Sequence, residues 1–260
     1  ATYARFLFAA PLAAALALAV VRVSGAPGIG PAFVFWALLG GLSQITAQVL
    51  LLRLFQLRNF AVGNTFARTE TVQAAILGAL LLGDWLAPLP ALGVLISVAG
   101  VLLLSRGGLG EGVFNAAAGI GVASGTAFAL SAVSYRAAAL SIDWEAGFFA
   151  RAAVTLAFVT VAQTLAMSLW LWFRSPGTIT GVLHNWRVAA PAGVTGMLAS
   201  LGWFSAFALA PAASVKAVGQ VELIFSFITS RFAFGERPSM REIAGIVLVG
   251  GGIVLLVLTS

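Results

Sequence analysis

The chain has 260 residues, 61% of them hydrophobic and 8% charged, with a formal net charge of +6 and a mean hydropathy of +1.05. A soluble domain carries about 25% charged residues, so a water-soluble fold is excluded. Apolar runs of about 20 residues recur instead, without the alternating pattern of a β-barrel, and predict an all-α polytopic membrane protein.

The first predicted span covers Thr2 to Val21, with Arg5 near its start. After a Gly/Pro loop, the second runs from Ala32 to Leu54 and carries Ser43, Gln44, Thr46 and Gln48. Gln44 and Gln48 are four apart and share a helix face. The third span, Phe60 to Leu82, begins polar, with Asn64, Arg68, Glu70 and Gln73, ends apolar, and is closed by Gly83-Asp84. The fourth is Leu86 to Leu104, with Pro88 and Pro90 in its first turn, where proline is tolerated. A glycine-rich linker leads to the fifth span, Ala116 to Leu140, which carries Tyr135 and whose Ser124, Thr126, Ser131 and Ser134 read as helix-to-helix glue. The sixth is Trp144 to Phe173, with Arg151 inside it. A loop follows to Arg187, and the single histidine, His184, reads as an interfacial residue there. The seventh span is Val188 to Leu209, the eighth Ala213 to Phe234 with Lys216, Gln220 and Glu222, and the ninth Glu242 to Leu258. Trp85, Trp144, Trp170, Trp172 and Trp186 fall near span ends, as an aromatic belt requires. The basic residues are likewise scattered at span ends, so the positive charge reflects topology and no nucleic-acid partner is expected.

A shift of 152 residues overlays the two halves from Gly41 onwards. Gly41 falls on Gly193, Glu70 on Glu222, Gly83-Asp84 on Gly235-Glu236, Gly93 on Gly245 and Gly100 on Gly252. The expected organisation is a first half at 1–105, a linker at 106–115 and a second half at 116–260. The second half holds five spans and the first four, which predicts a further helix before Ala1 and ten spans as a 5+5 inverted repeat. Secondary transporters use that plan, with the substrate near the bilayer midplane.

Glu70 and Glu222 are ionisable groups in mid-span, and such groups are functional candidates by default. Either can bind a substrate ammonium or carry a proton; the competing reading is neutralisation by Arg68 or Asn64, and by Lys216 or Gln220. Arg68 and Lys216 are candidates for a substrate carboxylate, against snorkelling to the interface. Gln44, Gln48, Asn64, Gln73, Gln220 and Trp203 complete the candidate set, Trp203 as a platform for an aromatic or cationic ligand. Arg5 and Arg151 read as structural or orienting residues. There is no cysteine, and the one histidine excludes multi-His metal sites. No Ser-His-Asp set, P-loop or HExxH motif is present, and Gly107 to Gly110 is an isolated glycine run with no strand before it. Neither an enzyme nor a cofactor is expected.

Four features together resemble the drug/metabolite transporter superfamily, in its EamA-like bacterial exporter branch. They are Arg5 and Arg151, Gly41 and Gly193, the two Gly-acid closers, and the glycines of the fourth and ninth spans. In many members a proline stands where Glu70 and Glu222 stand here. The resemblance implies a multi-pass protein of the bacterial inner membrane that exports small molecules by alternating access, with an aromatic amino-acid exporter as the nearest type. The lipid bilayer and a small-molecule substrate are the partners; the glycine faces also suit a homodimer, though a monomer suffices. Rival readings are a proton-coupled cationic drug exporter, a lipid-handling membrane enzyme or scramblase, and a structural subunit.

Overall fold

The computed structural model describes residues 2–57, 66–104, 116–233 and 239–259. These form eleven helices: α1 (Thr2–Ser24), α2 (Pro31–Phe55), α3 (Glu70–Leu82), α4 (Pro88–Leu104), α5 (Ala116–Leu140), α6 (Phe148–Arg174), α7 (Pro176–His184), α8 (Trp186–Leu209), α9 (Ala212–Gly219), α10 (Val221–Ala233) and α11 (Met240–Thr259). Among the described residues seven stretches are long and apolar enough to cross a membrane, and α3 and α4 are shorter apolar helices. No strand occurs among the described residues. Leu18, Leu80, Leu165, Phe173, Val188 and Leu258 are all exposed. In water such a surface would be a liability, whereas in lipid it is the expected outer face. The protein is therefore an all-α, multi-pass membrane protein.

The chain divides into two compact units, Ala1–Ile45 with Ser134–Leu209, and Thr46–Val133 with Ala210–Ser260. In the first unit α1 packs against α6 and α8. Gly193 lets α8 come against Phe8, since a Cβ there would collide with the Phe8 side chain and backbone. Phe33 and Phe158 meet edge to face at 5.2 Å between ring centres. One end of the unit is clamped: Gly28 and Asp143 exchange backbone hydrogen bonds of 2.9 and 3.1 Å, and Trp144 Nε1 donates to Ser24 O at 3.1 Å. Arg151 Nη2 donates to Trp144 O at 2.7 Å, which holds that segment in the clamp, so α6 starts at Phe148 and not at Trp144 as the hydropathy suggested. The stretch before Arg187, expected to be a loop, contains α7; Pro176 stands at its first turn, where a missing N–H costs nothing.

In the second unit α4 and α11 cross with their backbones nearly touching. A Cβ on Gly93 would lie 2.8 Å from Gly252 O, and one on Gly100 2.7 Å from Gly245 O. Small residues at a crossing let helices in lipid gain dispersion contact that larger side chains would block. A capping box starts α11: Ser239 N–H donates to Glu242 Oε2 at 2.8 Å and Glu242 N–H donates to Ser239 Oγ at 3.3 Å. It carries the helix two residues ahead of the Glu242 start read from the sequence. Gly83 ends α3 in the left-handed conformation, at φ 69°, a region that strongly favours glycine. Its proposed mate at Gly235-Glu236 lies outside the described residues.

Gly252→Val places side-chain atoms against Ser97 N and Gly93 O, so it should lower unfolding stability in a detergent titration by about 1–3 kcal/mol. Gly251→Ala, next to it but facing open space, should be neutral or slightly stabilising in the same titration.

Candidate functional site

The third and eighth predicted spans are both interrupted. Thr69 Oγ1 donates to Phe66 O at 2.6 Å and accepts from Gln73 Nε2 at 2.9 Å. This local bonding competes with the regular helix and leaves a turn at Arg68 and Thr69 before α3 begins. In the eighth span Gly219 precedes a turn at Gln220 that separates α9 from α10. Here Gln220 N–H donates to Ala217 O, and Gln220 O accepts from Leu223 N–H, both three residues away, where a continuous α-helix bonds four apart. Irregular backbone at membrane depth is tolerated only where protein or a water-filled cavity surrounds it.

These turns create helix ends, and the charged residues stand at them. Glu70 opens α3, Glu222 lies in the first turn of α10, and Lys216 lies in the last turn of α9. Each sign suits the helix terminus it occupies. The ion pairs form between helices. Lys216 Nζ donates to Glu70 Oε2 at 3.3 Å, and Arg68 Nη1 donates to Glu222 Oε1 at 2.7 Å. The neighbours weighed from sequence as neutralisers were sorted the other way, Arg68 to Glu70 and Lys216 to Glu222. Residues two or six apart on one helix do not face each other, so each glutamate takes a cation from the other segment. The Lys216–Glu70 pair is the more enclosed, with side-chain exposures of 14% and 23% against 34% and 59% for Arg68 and Glu222. Lys216 Nζ also lies 5.5 Å from the centre of the Phe128 ring, within cation–π reach.

A buried polar relay sits beside the pairs. Gln220 Nε2 donates to Thr71 Oγ1 at 2.7 Å, and Gln220 Oε1 accepts from Ser97 Oγ at 3.5 Å. All three residues are buried. Gln220 therefore braces the turn from inside. Gln73 is held by Thr69, and its buried Oε1 has no hydrogen-bond partner among the described residues. Gly125 of α5 makes room for the turn before α3, as a Cβ there would lie 2.9 Å from Ala67 O. Asn64 lies outside the described residues.

The remaining candidates separate. Gln48, half-buried, makes no side-chain hydrogen bond among the described residues. Gln44 belongs to the first unit, where its Oε1 accepts from Tyr135 Oη at 3.0 Å and from Gln163 Nε2 at 2.8 Å. Gln163 Nε2 also donates to Gly41 O at 3.1 Å. This network borders a cavity with room for about one water (≈ 10 Å³), lined among others by Arg5, Gln44, Thr160, Gln163, Ser200 and Phe204. Trp203 is not part of that lining and packs on Phe207. Its neighbour Phe204 lines the cavity and stacks on Tyr135 at 4.4 Å.

The model of the EamA-like transporter family matches residues 116–258, more than half of the chain. The chain belongs to the EamA-like transporter family. No curated protein matches. A solved structure described only as the crystal structure of a protein is similar in fold, with a TM-score of 0.70 at 18% identity, covering 99% of this chain and 89% of the other. Membership makes this EamA-like protein a membrane transporter, and it places α5 to α11, with Lys216, Gln220 and Glu222, inside the matched region.

Within this EamA-like chain, sequence reasoning missed Gln163, Thr160 and Phe204. Gln163 carried a usable signal, as the lone carboxamide in the middle of its span. Arg151 acts through the clamp on Trp144, whereas Arg5 reaches the cavity.

Gln220→Ala strips Thr71 and Ser97 of their partner and should cost about 1–3 kcal/mol of unfolding stability, while Gln48→Ala should stay within ~0.5 kcal/mol. Reversing one charge, as Glu70→Lys or Lys216→Glu, should depress the yield of folded protein on size-exclusion chromatography. The double reversal should recover much of it, and a double mutant no better than either single would mean the pair does not couple.

Proposed function

We propose that this protein exports amino acids or closely related zwitterions by alternating access, and that it is a 5+5 inverted repeat in the inner membrane of a bacterium. The observation that carries the reading is the pair of crossed ion pairs at interrupted helices. A zwitterion needs an anionic and a cationic receptor, and the second unit offers both at the ends of interrupted helices. A substrate ammonium would replace Lys216 at Glu70 or Arg68 at Glu222, and the freed cation would take the substrate carboxylate. Exchange of one ion pair for another keeps every charge matched, which lowers the cost of holding a charged solute away from water.

Two features support the repeat. The turns at Arg68 and Gln220 stand 152 residues apart, as do the two glutamates. The contacts Gly93–Gly252 and Gly100–Gly245 exchange with each other under the same shift, as a local two-fold relation would require.

The test is flux in proteoliposomes with a panel of aromatic, aliphatic and cationic amino acids and a cationic drug. Glu70→Gln and Glu222→Gln should each lower amino-acid flux by about tenfold or more, the loss of ~1.4 kcal/mol of binding. Asp143→Asn, at an exposed position in the loop clamp, should leave flux unchanged. Full flux in both glutamate variants would exclude these carboxylates, and drug flux without amino-acid flux would replace the substrate class.

A further inference from the structure

Arg5 was expected to serve structure or orientation, yet among the described residues its guanidinium makes no hydrogen bond and no ion pair. Its Cζ lies 5.2 Å from the centre of the Phe6 ring, and the buried Tyr135 lies within electrostatic range. The side chain is half-buried, and its stem crosses α8 at Gly196, where a Cβ would lie 2.7 Å from Cγ and 2.9 Å from Cδ. A guanidinium stays protonated in proteins, so the cavity it borders keeps a full positive charge. No aspartate or glutamate lines that cavity.

Of the other polar groups of the lining, Gln44, Thr160 and Ser200 keep donors to spare, whereas Gln163 is left with its carbonyl oxygen. Gly41 O can only accept, so the Gln163 carboxamide must face it with nitrogen. The same nitrogen then requires Gln44 to face it with oxygen. The Gln44 oxygen is thereby occupied, by Gln163 and Tyr135, and its NH₂ is left over. Thr155 and Thr164 of α6 bond back to carbonyls of their own helix, at Arg151 and Thr160. The hydroxyls of Thr160 and Ser200, which lie in the lining, make no such bond among the described residues. Gln44, Thr160, Gln163 and Ser200 all stand near the middle of their helices, where an unmatched charge is most costly.

We propose that this cavity in the first unit is an anion receptor in which Arg5, Gln44, Thr160 and Ser200 hold one small monoanion. Its size admits a single atom or group of about water dimensions, so it takes a halide ion or one oxygen of a solute's carboxylate, not a whole metabolite. The site is separate from the ion pairs at Glu70 and Glu222, and it stands or falls by binding alone, without reference to transport.

The test uses the full chain in nanodiscs, with no flux measured. Thermal unfolding is followed at equal ionic strength in sodium isethionate, whose anion is a bulky sulfonate, and in sodium bromide and acetate, and bromide and acetate affinities are taken by calorimetry. Stabilisation by bromide over isethionate identifies a free halide, and stabilisation by acetate alone identifies a carboxylate. Arg5→Gln should weaken the responding anion by about tenfold or more. Gly196→Ala, which crowds the Arg5 stem, should weaken it too, while Arg22→Gln, at an exposed arginine, should not. If Arg5→Gln fails to fold, Ser200→Ala and Gly196→Ala carry the comparison. Wild-type protein that responds alike to all three salts, or an anion response that survives both Arg5→Gln and Gly196→Ala, would overturn the proposal.

Discussion

Lipid offers no hydrogen bonds, so each charge and each freed backbone group in a span must find its match in the protein. In the second unit this requirement organises the surroundings of two helix interruptions. Thr69 bonds back on Phe66, Gln220 is braced by Thr71 and Ser97, and Gly125 clears space for the Ala67 carbonyl. The glutamates then occupy helix beginnings and Lys216 a helix end, where backbone dipoles favour their signs. Remove the interruptions and those termini vanish, leaving four charged side chains along continuous apolar helices. The ion pairs and the broken backbone are thus one device.

The first unit meets the same requirement by other means. Its network beside the cavity is made of two carboxamides and a tyrosine hydroxyl, Gln44, Gln163 and Tyr135, joined across α2, α5 and α6. Glycine supplies the access. Gly41 offers its carbonyl to Gln163, Gly193 admits Phe8, and Gly196 admits the stem of Arg5. A neutral network of this kind fixes helix positions with little electrostatic strain and leaves the guanidinium as the one formal charge in the lining of its cavity.

Hydropathy located the spans well because lipid imposes one simple rule on outward faces. It also located Glu70 and Glu222, since a carboxylate in an apolar run stands out. What it could not supply was partner choice. The crossing of Lys216 to Glu70 and Arg68 to Glu222 depends on where two turns bring segments some 150 residues apart, which no local pattern encodes. The turns were hidden for a related reason: Thr69 and Gln220 break the helix through side-chain bonds, not through proline. Phe204 and Trp203 are adjacent, and a helix turns about 100° per residue, so choosing the more conspicuous aromatic picked a different face. Pro176 looked like a loop residue and is a helix start.

The crossing of α4 and α11 bears on how the protein is made. Its glycine contacts join positions about 150 residues apart in the chain. At a synthesis rate of roughly 5–20 residues per second, α4 enters the bilayer about 7–30 s before α11 exists. Throughout that interval the groove at Gly93 and Gly100 faces lipid or a chaperoning insertase, with its closest packing partner still untranslated. The α4–α11 crossing therefore cannot close in step with translation; it closes late, when α11 arrives and backbone replaces lipid along α4.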